Sequence, residues 1–334
     1  MRRRRSTALT LLAPLALLVA ACGDEGESAA SSNPDAPLQV VATTTVVADF
    51  AAIIGGERVG IYNVAKPNVD LHDLEPTPAD LNAMKAAGVI VSNGLGLESW
   101  LDATLTSSGT KAAVIDASEG VTTRAGGHDH DEEHADDDHA KDAKGTKDDH
   151  AEEDDHDDVD PHIWHDPRNA KVMVTNIAKG FAAADPAGAA VYEKNLAAYL
   201  VELDTLDREI AAQVAGLTNK KLVTNHDAFG YFVDRYGFEF VGSIIPSFDS
   251  SAELSAADLT ELVAAIKSEG VTAVFSEASL PGKTAKTIAD EAKVKVVAGE
   301  SALYGDGLGP ASSAGGTYLK MMRHNASTIA SNLR

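Results

Sequence analysis

Residues 38–64 read LQVVATTTVVADFAAIIGGERVGIYNV, and the hydrophobic period changes twice within that run. Leu38-Gln39-Val40-Val41-Ala42-Thr43-Thr44-Thr45 is rich in apolar and β-branched residues, as a buried strand requires. Val46 to Ile54 then reads as a helix that Gly55-Gly56 ends, and Val59 to Val64 returns to strand. The alternation continues through a helix over Thr77 to Ala87, with Thr77 or Pro78 at its start, and a strand at Val89-Ile90-Val91-Ser92. A helix over Glu98 to Leu105 and a fourth strand at Ala112 to Asp116 complete it. Strands alternating with helices predict an α/β fold, a mostly parallel sheet covered on both faces.

Further along, Asn169 to Ala184 and Pro186 to Leu217 carry apolar residues at helical spacing, with Asp185 placed to cap the second helix and Pro186 suited to its first position. At roughly 30 residues that second helix is long for a globular domain, which marks it as a spacer. Strand and helix then alternate again: strand at Lys221 to Thr224, helix at Ala228 to Tyr236, strand at Phe238 to Ile245, helix at Ala256 to Glu269. Strand at Ala273 to Ser276, helix at Lys283 to Ala292, strand at Val294 to Ala298 and a last helix from Thr317 to Leu333 follow. A chain of 334 residues, 44% hydrophobic, is long enough for two domains. The expected architecture is two Rossmann-like α/β lobes, residues 38–168 and 218–334, joined by connecting helices over 169–217.

A formal charge of -23 excludes a nucleic-acid receptor, because the only basic cluster is Arg2 to Arg5 at the N-terminus. That cluster opens residues 1–22, which read as a secretion signal with an apolar run from Ala8 to Ala20, too short for a membrane span. Val19-Ala20-Ala21-Cys22 resembles the lipobox of bacterial lipoproteins, which implies lipidation of Cys22 as the mature N-terminus. Cys22 is the only cysteine, so no internal disulfide can support the fold. Residues 23–37 are small, polar and proline-punctuated, as a flexible tether would be.

Residues 126–158, GGHDHDEEHADDDHAKDAKGTKDDHAEEDDHDD, lack the apolar residues a core needs. Interleaved with the carboxylates are His128, His130, His134, His139, His150 and His156, candidates for accessory metal contacts. Imidazole among carboxylates points to a first-row transition metal, and a solvated acidic linker is the plain alternative.

Five histidines stand outside that insertion: His72, His162, His165, His226 and His324. His72 and His226 sit where a predicted strand gives way to a helix, where α/β sheets collect ligands. His72 lies ahead of Glu75-Pro76-Thr77-Pro78, His162 in Asp160-Pro161-His162-Ile163-Trp164, and His226 in His226-Asp227-Ala228-Phe229-Gly230-Tyr231. Together with a late acidic residue before a Tyr-x-x-Met-Met helix, these segments resemble the zinc and manganese receptors of bacterial ABC importers, from Val40 to the end of the chain.

The resemblance implies His72, His162, His226 and Asp306 as metal ligands. The family usually has serine after this aspartate, whereas Gly307 follows here, so Glu300 is an alternative fourth ligand. Three imidazoles with one carboxylate satisfy tetrahedral zinc without cysteine. Manganese receptors of the family commonly carry a carboxylate at the third position, and His226 favours Zn2+ as the transported ion. The implied function is a monomeric, lipid-anchored zinc receptor on the extracytoplasmic face of the cell membrane that serves a permease and its cytoplasmic ATPase. A manganese receptor of the same family and a secreted zinc hydrolase are the alternatives; the second needs an open coordination position. Asp73, Glu75 and Asp227 flank ligands and are candidates to orient them, Trp164 is expected beneath the site, His165 in a supporting or surface position, and His324 on a solvent-facing helix surface.

Overall fold

The computed structural model describes residues 36–124, 159–252 and 255–334. The secretion signal, Cys22, nearly all of the tether and the six insertion histidines lie outside the described residues. The first sheet is built from β1 (Leu38–Ala42), β2 (Val59–Asn63), β3 (Val89–Ser92) and β4 (Ala113–Asp116), all parallel, in the order β2-β1-β3-β4. Its crossovers are α1 (Thr45–Gly55), α2 (Pro78–Ala86) and α3 (Leu101–Ser108).

Both faces of β1 are covered, which is why its sequence does not alternate. Val40 packs with Val46 and Phe50 in the main core, whereas Val41 packs with Met84 and Ile90 on the opposite face. Thr44 caps α1 by accepting from Val47 N, and Thr77 with Asp80 forms a reciprocal capping box on α2. The third helix begins at Leu101 rather than Glu98. Glu98 is spent elsewhere: its buried carboxylate accepts from Asn93 N at 2.7 Å, Gly94 N at 3.2 Å and Thr43 Oγ1 at 2.5 Å.

Helices α4 (Pro167–Ala184) and α5 (Ala189–Val214) follow, the second 26 residues long. Asp185 does not cap α5, because its carboxylate accepts from Arg58 Nε at 2.8 Å, Arg58 Nη2 at 2.9 Å and Tyr192 OH at 2.7 Å. A single tight turn at Pro186–Gly188 therefore precedes the long helix.

The second half repeats the plan of the first. Strand β5 (Lys221–His226) pairs with β6 (Glu239–Ile245), β7 (Ala273–Phe275) pairs with β8 (Lys295–Val297), all parallel, and β5 packs beside β7. The intervening helices are α6 (Gly230–Tyr236), α7 (Ala256–Glu269) and α8 (Gly282–Ala292). The last helix, α9 (Tyr318–Asn332), packs on α5 and α1, with Tyr318 edge-on to Phe50 at 4.8 Å between ring centroids. The chain thus returns to the first half, and one apolar cluster containing Phe50, Trp164, Leu206, Phe229, Phe232, Leu303 and Tyr318 runs through both lobes. Each such fully buried side chain contributes about 1.5–3 kcal/mol, so the lobes meet over a core rather than a hinge of loops. Among the described residues no helix is long and apolar enough to cross a membrane.

Candidate metal centre

Each half of the fold delivers two side chains to one point. His72 stands in the loop between β2 and α2, and His162 immediately precedes the turn at Ile163–His165 that leads into α4. From the other side come His226, the last residue of β5, and Asp306, in the loop between β8 and α9. One ligand atom from each of the four lies within 4.8 Å of every other.

Backbone and side-chain contacts fix each position. Asp70 Oδ1 accepts from His72 N at 3.1 Å, and Asn93 Nδ2 donates to Pro161 O at 3.0 Å beside His162. The Asp306 loop is tied to both halves. Leu303 pairs with Glu277 as a parallel extension of β7, and Asn325 on α9 brackets the Tyr304 backbone. Trp164 Nε1 donates to Gly305 O at 3.2 Å, and His165 Nε2 lies 2.9 Å from the same oxygen. Leu308 N donates to Thr45 Oγ1 at 2.7 Å.

The four groups face inward. Asp306 Oδ1 is 2.9 Å from His226 Nε2, 3.5 Å from His162 Nε2 and 3.9 Å from His72 Nε2, and the Nε2 atoms of His162 and His226 are 3.4 Å apart. Tetrahedral zinc with bonds of about 2.0–2.1 Å needs donors about 3.4 Å apart, the middle of that range. His162, His226 and Asp306 are fully buried, and the His72 side chain is 8% exposed, so bulk water does not solvate the donors. His72 Nε2 and Asp306 Oδ1 are buried without a hydrogen-bond partner, which a cation between them would satisfy.

Carboxylates stand behind two of the rings. Asp160 Oδ1 lies 2.9 Å from His162 Nδ1, and Glu277 Oε2 lies 2.9 Å from His226 Nδ1. A proton on His162 Nδ1, facing Asp160, would direct its Nε2 lone pair at the centre, and Glu277 stands where it could do the same for His226. Asp249 Oδ1 stands 4.0 Å from His72 Nδ1, and Ser279 Oγ donates to Asp306 Oδ2 at 3.0 Å.

The electrostatics divide the histidines. Burial, reinforced by the neighbouring His162, lowers His72 to about 4. Burial alone would lower His162 and His226 too, but Asp160 and Asp306 raise the first, and Glu277 and Asp306 hold the second well above the usual histidine value. Burial would raise the Asp306 carboxyl, yet His226 and His162 hold it well below the carboxylate range.

Other candidates stand elsewhere. Glu300 is exposed in the turn at Gly299–Ser301 and does not join the cluster, and Asp73 and Glu75 are also exposed. The carboxylates behind the rings are Asp160 and Glu277, while Asp227 follows His226 with its backbone N bonded to Ser247 O. His165 is fully buried and lowered to about 3 by burial, a neutral prop for the Asp306 loop rather than a surface residue. His324 is half-buried rather than solvent-facing; its Nε2 lies 2.9 Å from Ala302 O and its ring packs on Tyr304. Trp164 is fully buried against His162, with ring centroids 5.4 Å apart. The glycine in place of serine also has a local reason, since a Cβ on Gly307 would lie 2.6 Å from Thr45 Oγ1.

Residues 40–332 match the family described as zinc-uptake complex component A, periplasmic. The chain belongs to that family. It is 29% identical over 321 residues to the manganese-binding lipoprotein MntA of Halalkalibacterium halodurans, across 96% of this chain and 95% of that relative. It is 27% identical over 344 residues to the iron ABC transporter substrate-binding lipoprotein MtsA of Streptococcus pyogenes serotype M1, across 100% and 99%. Among solved structures, the periplasmic zinc binding protein TroA from Treponema pallidum superposes with a TM-score of 0.73 at 27% identity, over 89% of this chain and 99% of that one. The fold is accordingly the two-lobed α/β arrangement of metal-binding receptors of ABC importers. That family consists of transport receptors, not enzymes, and the hydrolase alternative is set aside.

Proposed function

We propose that this protein captures zinc through His72, His162, His226 and Asp306 and delivers it, as a lipid-anchored monomer outside the cytoplasm, to a permease driven by a cytoplasmic ATPase. The observation that carries the reading is the donor set itself: three imidazoles and one carboxylate whose inward-facing atoms all lie within 4.8 Å of one another in a buried site. Two donors come from each half of the fold, so release to a permease requires at least one pair to withdraw from the other. Zinc is favoured over manganese because three nitrogens outnumber one oxygen, whereas a hard ion takes oxygen donors. The manganese and iron names of the two relatives make those ions the necessary competitors in any test.

The histidines of residues 126–158 are assigned an accessory role as weak zinc collectors, and Cys22 the lipid anchor. Titration of zinc into apo protein, with and without residues 126–158 and in competition with manganese, tests the reading. One tight zinc-selective site should survive the deletion; a tight site that leaves with the insertion, or one that prefers manganese, would overturn it.

A further inference from the structure

We infer that Arg124 is a positioning residue for the metal site, holding Asp160, and through it His162, in register with the segment that follows His226. The inference rests on the zinc site proposed above. Arg124 and Asp160 stand on either side of the histidine-rich insertion in the chain, and the backbone ties them together by Asp160 N donating to Arg124 O at 3.3 Å. Arg124 Nη1 donates to Asp160 Oδ2 at 3.0 Å. The other oxygen, Oδ1, lies 2.9 Å from both His162 N and His162 Nδ1. One buried carboxylate therefore connects the guanidinium to the ligand, with one oxygen committed to each.

The same guanidinium reaches the other lobe. Its Nε donates to Asp234 Oδ2 on α6 at 3.1 Å, while Arg124 N donates to Tyr231 OH at 3.2 Å and Tyr231 OH donates to Asp160 O at 2.8 Å. Only three residues separate His226 from α6, so Arg124 is fastened to the elements that carry two ligands from opposite halves. Gly230 makes this possible: a Cβ there would lie 1.9 Å from Arg124 Nη1 and 2.7 Å from Asp160 Oδ2. A planar fork with several donors meets both carboxylates at once, and a lysine ammonium does so less well.

A plain structural ion pair is the competing account. Removing one partner of a buried pair destabilises a protein whatever its function, because fully buried Asp160 would lose its guanidinium partner. The distinction lies in whether the metal responds as well as the fold.

The test uses the mature full chain with zinc alone for affinity and cobalt alone as a spectroscopic probe of donor geometry. R124Q should weaken zinc binding by about 10–100-fold and alter the cobalt ligand-field bands, with R124K intermediate. D160N should weaken binding at least as much, and R124Q/D160N no further than D160N, because the two act in series. G230A, which displaces the guanidinium without removing it, should reproduce the R124Q spectrum and supplies the answer if R124Q fails to fold. Unchanged affinity and cobalt spectrum in R124Q or G230A, with only the melting temperature lowered, would overturn the inference, as would additive effects in the double variant. Tight zinc binding that survives H162A would instead overturn the site reading beneath it.

Discussion

Gly305 lies so close to Glu277 that a Cβ on it would be 2.0 Å from Glu277 Oε2. Glu277 Oε1 accepts from His226 N at 3.0 Å and Oε2 lies 2.9 Å from His226 Nδ1, so the glycine leaves room for the carboxylate behind the His226 ring. The loop carrying Asp306 can approach His226 only because residue 305 has no side chain. G305A should therefore push Glu277 off His226 and weaken zinc binding by about 10–100-fold. Chelator competition measures it, and an unchanged zinc affinity would show that Glu277 does not orient the ring.

Thr45 occupies the space that a side chain at position 307 would need, and its hydroxyl accepts from Leu308 N at 2.7 Å. Introducing the serine usual in the family should displace that hydroxyl and leave Leu308 N unpaired. G307S is expected to lose about 1–3 kcal/mol of stability, read by urea denaturation of the apo protein. T45A should cost a similar amount and G307S/T45A less than the sum, since both break the same bond.

The βαβ alternation made the α/β fold legible, and the motifs around His72, His162, His226 and Asp306 named the four side chains that the fold gathers. The partners behind them were less legible for a physical reason. Glu277 lies two residues past a short apolar strand and reads locally as an ordinary surface acid; only the packing of β7 beside β5 puts it behind His226, 51 residues away. Asp185 misled in the same way, because proximity to a helix start suggested a cap while Arg58, 127 residues distant, claims both its oxygens. Glu300 was drawn in by sequence proximity to Asp306, but the turn at Gly299–Ser301 leaves it exposed. His324 is three residues after the fully buried Met321, a helical spacing that could have placed it toward the Ala302 loop.

Burial beside α9 raises the Asp49 carboxyl to about 6 from 3.8, and the hydrogen bond from Tyr318 N and the charge of Lys320 only partly offset it. A raised acid favours folding while protonated in the native state. The contribution is complete below about 3.8 and is lost as pH climbs through about 6. At roughly 1.4 kcal/mol per unit, up to about 3 kcal/mol separates the two ends. D49N keeps an oxygen for Tyr318 N and carries no charge. Its stability relative to the parent, by denaturant titration, should therefore be higher on the alkaline side than on the acidic side by that amount at most. A difference independent of pH would mean that Asp49 is charged and solvated in the folded protein.

Because the donors are shared between the lobes, zinc should bind only the folded, closed arrangement and should stabilise it by mass action. Free zinc at one hundred times its dissociation constant supplies about 2.7 kcal/mol, enough to raise the melting temperature measurably. H72A removes a donor from the first half and H226A one from the second, so each alone should abolish most of the zinc-dependent rise; H72A should leave the apo melting temperature close to the parent's, whereas H226A should lower it, because the buried Glu277 and Asp306 lose the imidazole between them. His72 is the more informative of the two: its Nε2 makes no hydrogen bond, so its removal breaks no bond at that atom in the apo protein. A zinc-dependent shift that persists in H72A would mean that the other three groups hold the ion without it, leaving an open position and a different coordination chemistry.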